Sequence, residues 1–224
     1  MKTNALSGRR SFIRCTGGII TAASAAGMLG GAWAKEKEKE EKEEEDVSPA
    51  EDLMREHGLL KRVLLIYGEG IRRIEKGEDL PPAALADSAR IIRNFIEDYH
   101  EKLEEDFLFP RFEKAGRLVE LVSTLRAQHQ GGRRLTEITL KLATAKALKT
   151  ADERNQLTDS LRQFIRMYEP HEAREDTVLF PAFRQIVSQH EYDSLGEDFE
   201  KKEHELFGKE GFEAMPLSYN YCTL

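Results

Sequence analysis

Two stretches of this chain carry side chains able to hold a metal ion, in one shared spacing. The first is His100-Glu101-Lys102-Leu103-Glu104, which runs on to Phe109-Pro110-Arg111-Phe112. The second is His171-Glu172-Ala173-Arg174-Glu175, which runs on to Phe180-Pro181-Ala182-Phe183. In both, Glu follows His by four places, Phe-Pro stands at nine and ten, and Phe at twelve. On a helix of about 3.6 residues per turn, positions i and i+4 lie on one face. Each copy therefore presents an imidazole and a carboxylate side by side, and the two read as halves of one metal site.

Two more histidines complete the set. Leu53-Met54-Arg55-Glu56-His57 matches Leu125-Arg126-Ala127-Gln128-His129, and Phe95-Ile96…Tyr99 matches Phe164-Ile165…Tyr168. His57 and His129 are 72 residues apart, and His100 and His171 are 71 apart. The chain thus reads as two copies of one helical hairpin. Packed face to face, they bring His57, His100, Glu104, His129, His171 and Glu175 to a common centre. An unpaired buried carboxylate costs several kcal/mol, so two of them on inner faces need a partner. A metal is the expected partner, and a self-neutralising His–Glu pair is the alternative. No thiol is at hand, because Cys15 lies in the leader and Cys222 near the end. Six nitrogen and oxygen donors suit iron, manganese or zinc. Two carboxylates among four imidazoles suit a dinuclear centre, each ion taking two His and both carboxylates bridging. Iron is favoured, with manganese and zinc left open.

The elements that must position these groups are helical. Ser48-Pro49-Ala50-Glu51 is a capping box, opening a helix that runs to about Lys76. Its stripe is Leu53, His57, Leu60, Leu64, Tyr67, Ile71 and Ile74, spaced by threes and fours. A second helix starts near Pro82 and passes Pro110, which should kink or end it. Ile92, Ile96, His100, Leu103, Glu104 and Phe107 share its inner face. A third covers about 118–148, and Gly131-Gly132 inside it suggest close approach of another backbone or an opening near the site. A second capping box, Thr150-Ala151-Asp152-Glu153, opens the fourth. Its inner face is Leu157, Leu161, Phe164, Tyr168, His171, Glu175, Val178, Ala182 and Ile186, with a distortion expected at Pro170. A short fifth helix spans about 192–207. Short loops between neighbours predict an all-α, up-down-up-down four-helix bundle over 48–208.

Residues 1–34 read as an export leader. Arg9-Arg10-Ser11-Phe12-Ile13 resembles the twin-arginine signal, a weakly apolar Gly/Ala-rich stretch follows, and Ala32-Trp33-Ala34 fits a small-x-small cleavage site. The apolar stretch is too short and mild for a stable membrane anchor. Residues 35–47 form a charged Lys/Glu linker and 209–224 a tail. The formal net charge is −7. The leader removes Lys2, Arg9, Arg10 and Arg14 and no acid, so the mature part is more acidic still. That argues against nucleic acid as a partner.

The combined pattern His57…His100-x-x-x-Glu104…His129…His171-x-x-x-Glu175 resembles the bacterial hemerythrin-like domain, the His-His-Glu cation-binding family. The resemblance covers about 50–208. It implies a four-helix bundle around a non-haem di-iron centre, with those six residues as ligands. One departure stands out. Oxygen-carrying hemerythrins have a further His four places after the third-helix His, and here Arg133 stands there. One iron lacks that imidazole unless His204 supplies it. The arrangement is similar to four-His, two-carboxylate members, which include iron–sulfur-cluster repair and nitric-oxide-stress proteins. The expected role is a periplasmic di-iron protein that binds or senses O2, NO or peroxide, with a redox partner the sequence does not name. Iron handling, cluster repair and a di-iron oxidoreductase are the alternatives. His204 reads as surface or a neighbour of the site, and His190 as solvated. Tyr67, Tyr99 and Tyr168 read as core or as hydrogen-bond donors near it. Glu101, Glu105, Glu172 and Asp176 read as exposed charges.

Overall fold

The computed structural model describes residues 48–208. The leader at 1–34, the linker at 35–47 and the tail at 209–224 lie outside the described residues. Helix α1 is Pro49–Lys76. The Ser48 hydroxyl accepts from Glu51 N at 3.3 Å, Glu51 and Asp52 face the positive helix end, and Gly77 closes the other end at φ 66°. Helix α2 spans 82–115, α3 is Val119–Leu142, α4 spans 151–183 and α5 is Gln189–Phe207. Among the described residues there is no strand, and the fold is all-α.

Helices α1 and α3 each pack against both α2 and α4, which closes a four-helix bundle. Buried Leu53, Leu60, Val63, Phe95, Leu125, Leu161 and Phe164 fill its interior. Helix α5 lies on α1. Its Phe199 is fully buried against Phe107, ring centres 5.5 Å apart, and Phe207 packs on Phe95 and Tyr99. It begins at Gln189 rather than near Tyr192, because the Ser188 hydroxyl accepts from Glu191 N at 3.2 Å. No helix among the described residues is long and apolar enough to cross a membrane.

The two prolines after the ligand motifs neither end nor sharply break their helices. Each is accommodated by a widened π turn, Glu104–Leu108 in α2 and Glu175–Leu179 in α4. Phe109 N bonds back five residues to Glu104 O, and Phe180 N to Glu175 O. The physical cause is the proline ring, which clashes with the carbonyl four residues back and supplies no N–H. Widening the turn by one residue relieves both problems. The inserted residue also rotates the inner face. Leu108 and Leu179 are fully buried, whereas Phe107 is half-buried and Val178 is 42% exposed, contrary to the simple helical reading. A third π segment, Ile92–His100, leads into the first motif. Pro170, by contrast, sits inside regular α-helix on an exposed face, where solvent can satisfy the carbonyl it leaves unpaired.

Two other expectations change. Thr150 gives no side-chain cap; the turn before it is held by Thr144, whose hydroxyl accepts from Ala147 N at 3.1 Å. Gly131 and Gly132 leave α3 unbroken, and what approaches is a side chain rather than a backbone. A Cβ at 132 would stand 2.0 Å from the Tyr168 hydroxyl, while one at 131 would meet the ends of two long side chains, the Met167 sulfur at 3.3 Å and an Arg134 nitrogen at 3.8 Å. Gly132→Ala should therefore lower stability by about 1–3 kcal/mol in urea unfolding. Gly131→Ala should stay within about 1 kcal/mol of the parent, because gained helix propensity offsets the milder contact.

Candidate metal centre

Each bundle helix delivers its donors from a fixed register. His57 comes from α1, His100 and Glu104 from α2, His129 from α3, and His171 and Glu175 from α4. All six are between 0% and 2% exposed. The imidazoles fall into two pairs. The His57 and His100 ring centres are 4.8 Å apart, and those of His129 and His171 5.0 Å. Phe180 stacks on the His57 ring at 5.7 Å and Phe109 on the His129 ring at 5.5 Å. Both phenylalanines stand five residues after a ligand-motif Glu, where the widened turn puts them.

The carboxylates lie between the pairs. Glu175 sends Oε2 to within 3.4 Å of His57 Nε2 and Oε1 to within 3.1 Å of His171 Nε2. Glu104 Oε2 lies 3.4 Å from His129 Nε2 and 3.8 Å from His100 Nε2. His129, His171 and Glu175 each offer a donor atom within 4.8 Å of the others. Both oxygens of Glu104, both of Glu175, and Nε2 of His57 and His129 are buried without a hydrogen-bond partner. Orphaned buried groups of this kind are costly unless something else takes them.

The outward nitrogens make the inward ones good ligands. Nδ1 of His57 lies 2.8 Å from Asp176, that of His100 2.5 Å from Glu56, that of His129 3.1 Å from Glu105, and that of His171 3.0 Å from Gln128 Oε1. Ionised carboxylates and amide oxygens only accept, so against them a neutral ring carries its proton on Nδ1 and turns the Nε2 lone pair to the centre. The donors present therefore fit a cation: four imidazole nitrogens, two carboxylates, no sulfur, and a partner fixing each ring.

Charges at the centre are strongly perturbed. Burial, then the charge of Glu175, pushes Glu104 well above the usual carboxylate range. Burial also works on Glu175, but His171 and His57 outweigh it and hold its carboxyl far down. His57 is raised to about 9, because Asp176 and Glu175 overcome its burial. His100 is driven down by burial and by the neighbouring His57.

Glu101 and Glu172 are not the exposed charges expected from the sequence. They are 1% and 2% exposed, and Glu105 and Asp176 are half-buried. Each follows one of the six donors by one place and so turns about 100° toward a neighbouring helix. Arg133, standing where oxygen carriers have a further His, instead ties Glu101 at 2.8 Å to Glu105 at 2.9 Å. Tyr168 donates to Glu101 at 2.7 Å. His204 and His190 are exposed on α5, apart from the six. The Nδ1 partners had a signal in the sequence. Both copies place an acid directly after the ligand Glu, and Glu56 and Gln128 directly precede matched histidines.

Residues 48–144 match the hemerythrin HHE cation binding domain. The matched span takes in α1, α2 and α3, with His57, His100, Glu104 and His129. His171 and Glu175 lie beyond it, and the geometry above brings them to the other four. The chain is also 52% identical over 169 residues to an uncharacterized protein of Mycobacterium bovis and to ones from two strains of Mycobacterium tuberculosis. The alignment covers 75% of this chain and 66% of each relative. No solved structure matches it.

One pH dependence follows from the acids around the centre. Burial outweighs Tyr168 and Arg133 and raises Glu101 from 4.5 to about 8. Across that window the unfolded metal-free chain holds fewer protons than the folded one, so Glu101 makes stability fall as pH rises. Urea unfolding of metal-free protein at pH 5 to 8 should give that decline, and Glu101→Gln should flatten it. An unaltered slope would contradict a carboxyl kept protonated by burial.

Proposed function

We propose that this chain is a non-haem di-iron protein of hemerythrin type that binds or senses O2, NO or peroxide. The observation that carries the reading is the set of orphaned donors: two buried carboxylates, each within 4 Å of an imidazole from both pairs. In this reading His57 and His100 would hold one ion and His129 and His171 the other, with Glu104 and Glu175 supplying carboxylate oxygens between the two pairs. When bound, the irons supply open coordination positions and redox capacity for a small ligand. The chain's own part is to fix the imidazoles through Nδ1 and to exclude bulk water with Phe109, Phe180 and the surrounding core. Near-complete burial of the six donors favours a diatomic or peroxide-sized ligand over a larger substrate.

The same proposal places the protein in the periplasm. Its support is the Arg9-Arg10-Ser11-Phe12-Ile13 stretch with the small-x-small site at Ala32-Trp33-Ala34. Twin-arginine export carries folded cargo, which suits a centre that must be loaded before transit. The acidic mature chain supports a small-molecule ligand and a protein redox partner rather than nucleic acid.

Elemental analysis of the purified chain should give two iron ions per protein, and Glu104→Ala or Glu175→Ala should lower this towards one. Iron-loaded protein should change its visible spectrum on exposure to O2, NO or peroxide. A silent spectrum with all three would sink the sensing role. Rapid loss of iron to a mild chelator would point to iron handling instead, and absence of any bound metal would defeat the whole reading.

A further inference from the structure

The repeat pairs the four imidazoles, but it does not back them alike. In the His57–His100 pair, both outward nitrogens face carboxylates, Asp176 at 2.8 Å and Glu56 at 2.5 Å. In the His129–His171 pair, one faces Glu105 at 3.1 Å and the other the amide oxygen of Gln128 at 3.0 Å. Glu56 and Gln128 occupy the same place in the repeat, so one half has a carboxyl where the other has an amide. A carboxylate behind an imidazole raises the basicity of the nitrogen that faces the metal. An amide oxygen fixes the ring but adds no charge.

Surrounding groups widen the gap. Glu105 shares its charge with Lys102 at 2.7 Å and Arg133 at 2.9 Å. Asp176 has Lys61 only at 3.6 Å, on a side chain 59% exposed. Glu56 is wholly buried, and Asp52 and Glu203 bring carboxylate oxygens within 4.8 Å of it. Acidic groups therefore gather behind the His57–His100 pair, whereas basic groups offset the one acid behind the other.

We infer that the two metal positions are unequal: the His57–His100 position takes the first divalent ion, and the Glu56/Gln128 difference sets the order. The inference rests on the dinuclear reading above. Its consequence is a defined one-ion species, not a statistical mixture. Glu56 and Gln128 act here as positioning residues, through the imidazoles rather than on the ion.

The test is titration of the metal-free full chain with Co(II), followed by calorimetry and by the cobalt visible bands. Two steps are expected, the first tighter by about tenfold or more, the usual scale for a partner behind a metal-ligating His. His100→Ala should abolish the tighter step, and His171→Ala should leave it and remove the weaker. Gln128→Glu is isosteric at a half-buried position and should tighten the second step by about tenfold. Glu56→Gln should weaken the first comparably. Two equal steps in the parent, loss of the tighter step in His171→Ala, or an unmoved second step in folded Gln128→Glu would each overturn the inference. Two equal steps would leave the dinuclear reading intact, whereas no cobalt uptake at all would remove both.

Discussion

The fold turns on one electrostatic constraint. Two glutamates and four histidines stand in the interior of a helical bundle, where no solvent can satisfy them. Their oxygens and nitrogens point at one another at 3.1 to 3.9 Å, without hydrogen-bond geometry for most of them. A protein with this much uncompensated polarity at its middle needs either protons or cations there. The outer ring of partners argues for cations, because it fixes the imidazoles with Nε2 facing inward.

Helix geometry meets that constraint through a deviation used twice. A regular turn after Glu104 or Glu175 would drive the following proline into the preceding backbone. The widened turn avoids this and rotates the next stretch, so Phe109 and Phe180 reach over the histidines of α3 and α1. Glutamate donor, widened turn and aromatic cover thus form one unit, and the duplication supplies it to both sides of the centre. Helix α5 then seals the α1–α2 face with Phe199 and Phe207.

Much of this was legible in the residues. The i, i+4 spacing of His and Glu, the inner stripe of α1 and the near-equal offsets between copies were enough to define the bundle and the six donors. What escaped was whatever depends on local departures from ideal helices. Periodicity assigned Val178 to the core and missed Leu179, because a 3.6-residue count cannot anticipate an inserted residue. The acids at 101, 105, 172 and 176 looked like surface charge, because partners such as Arg133 and Lys61 are distant in sequence or on another helix. The approach of Tyr168 to Gly132 is likewise a contact between helices, and the glycines alone announced only that something came near.

The prolines carry a further consequence. Since Pro110 and Pro181 penalise an ordinary α-helical turn after Glu104 and Glu175, the widened turns have no cheaper regular geometry to relax into. The backbone itself thereby keeps Phe109 and Phe180 seated over His129 and His57.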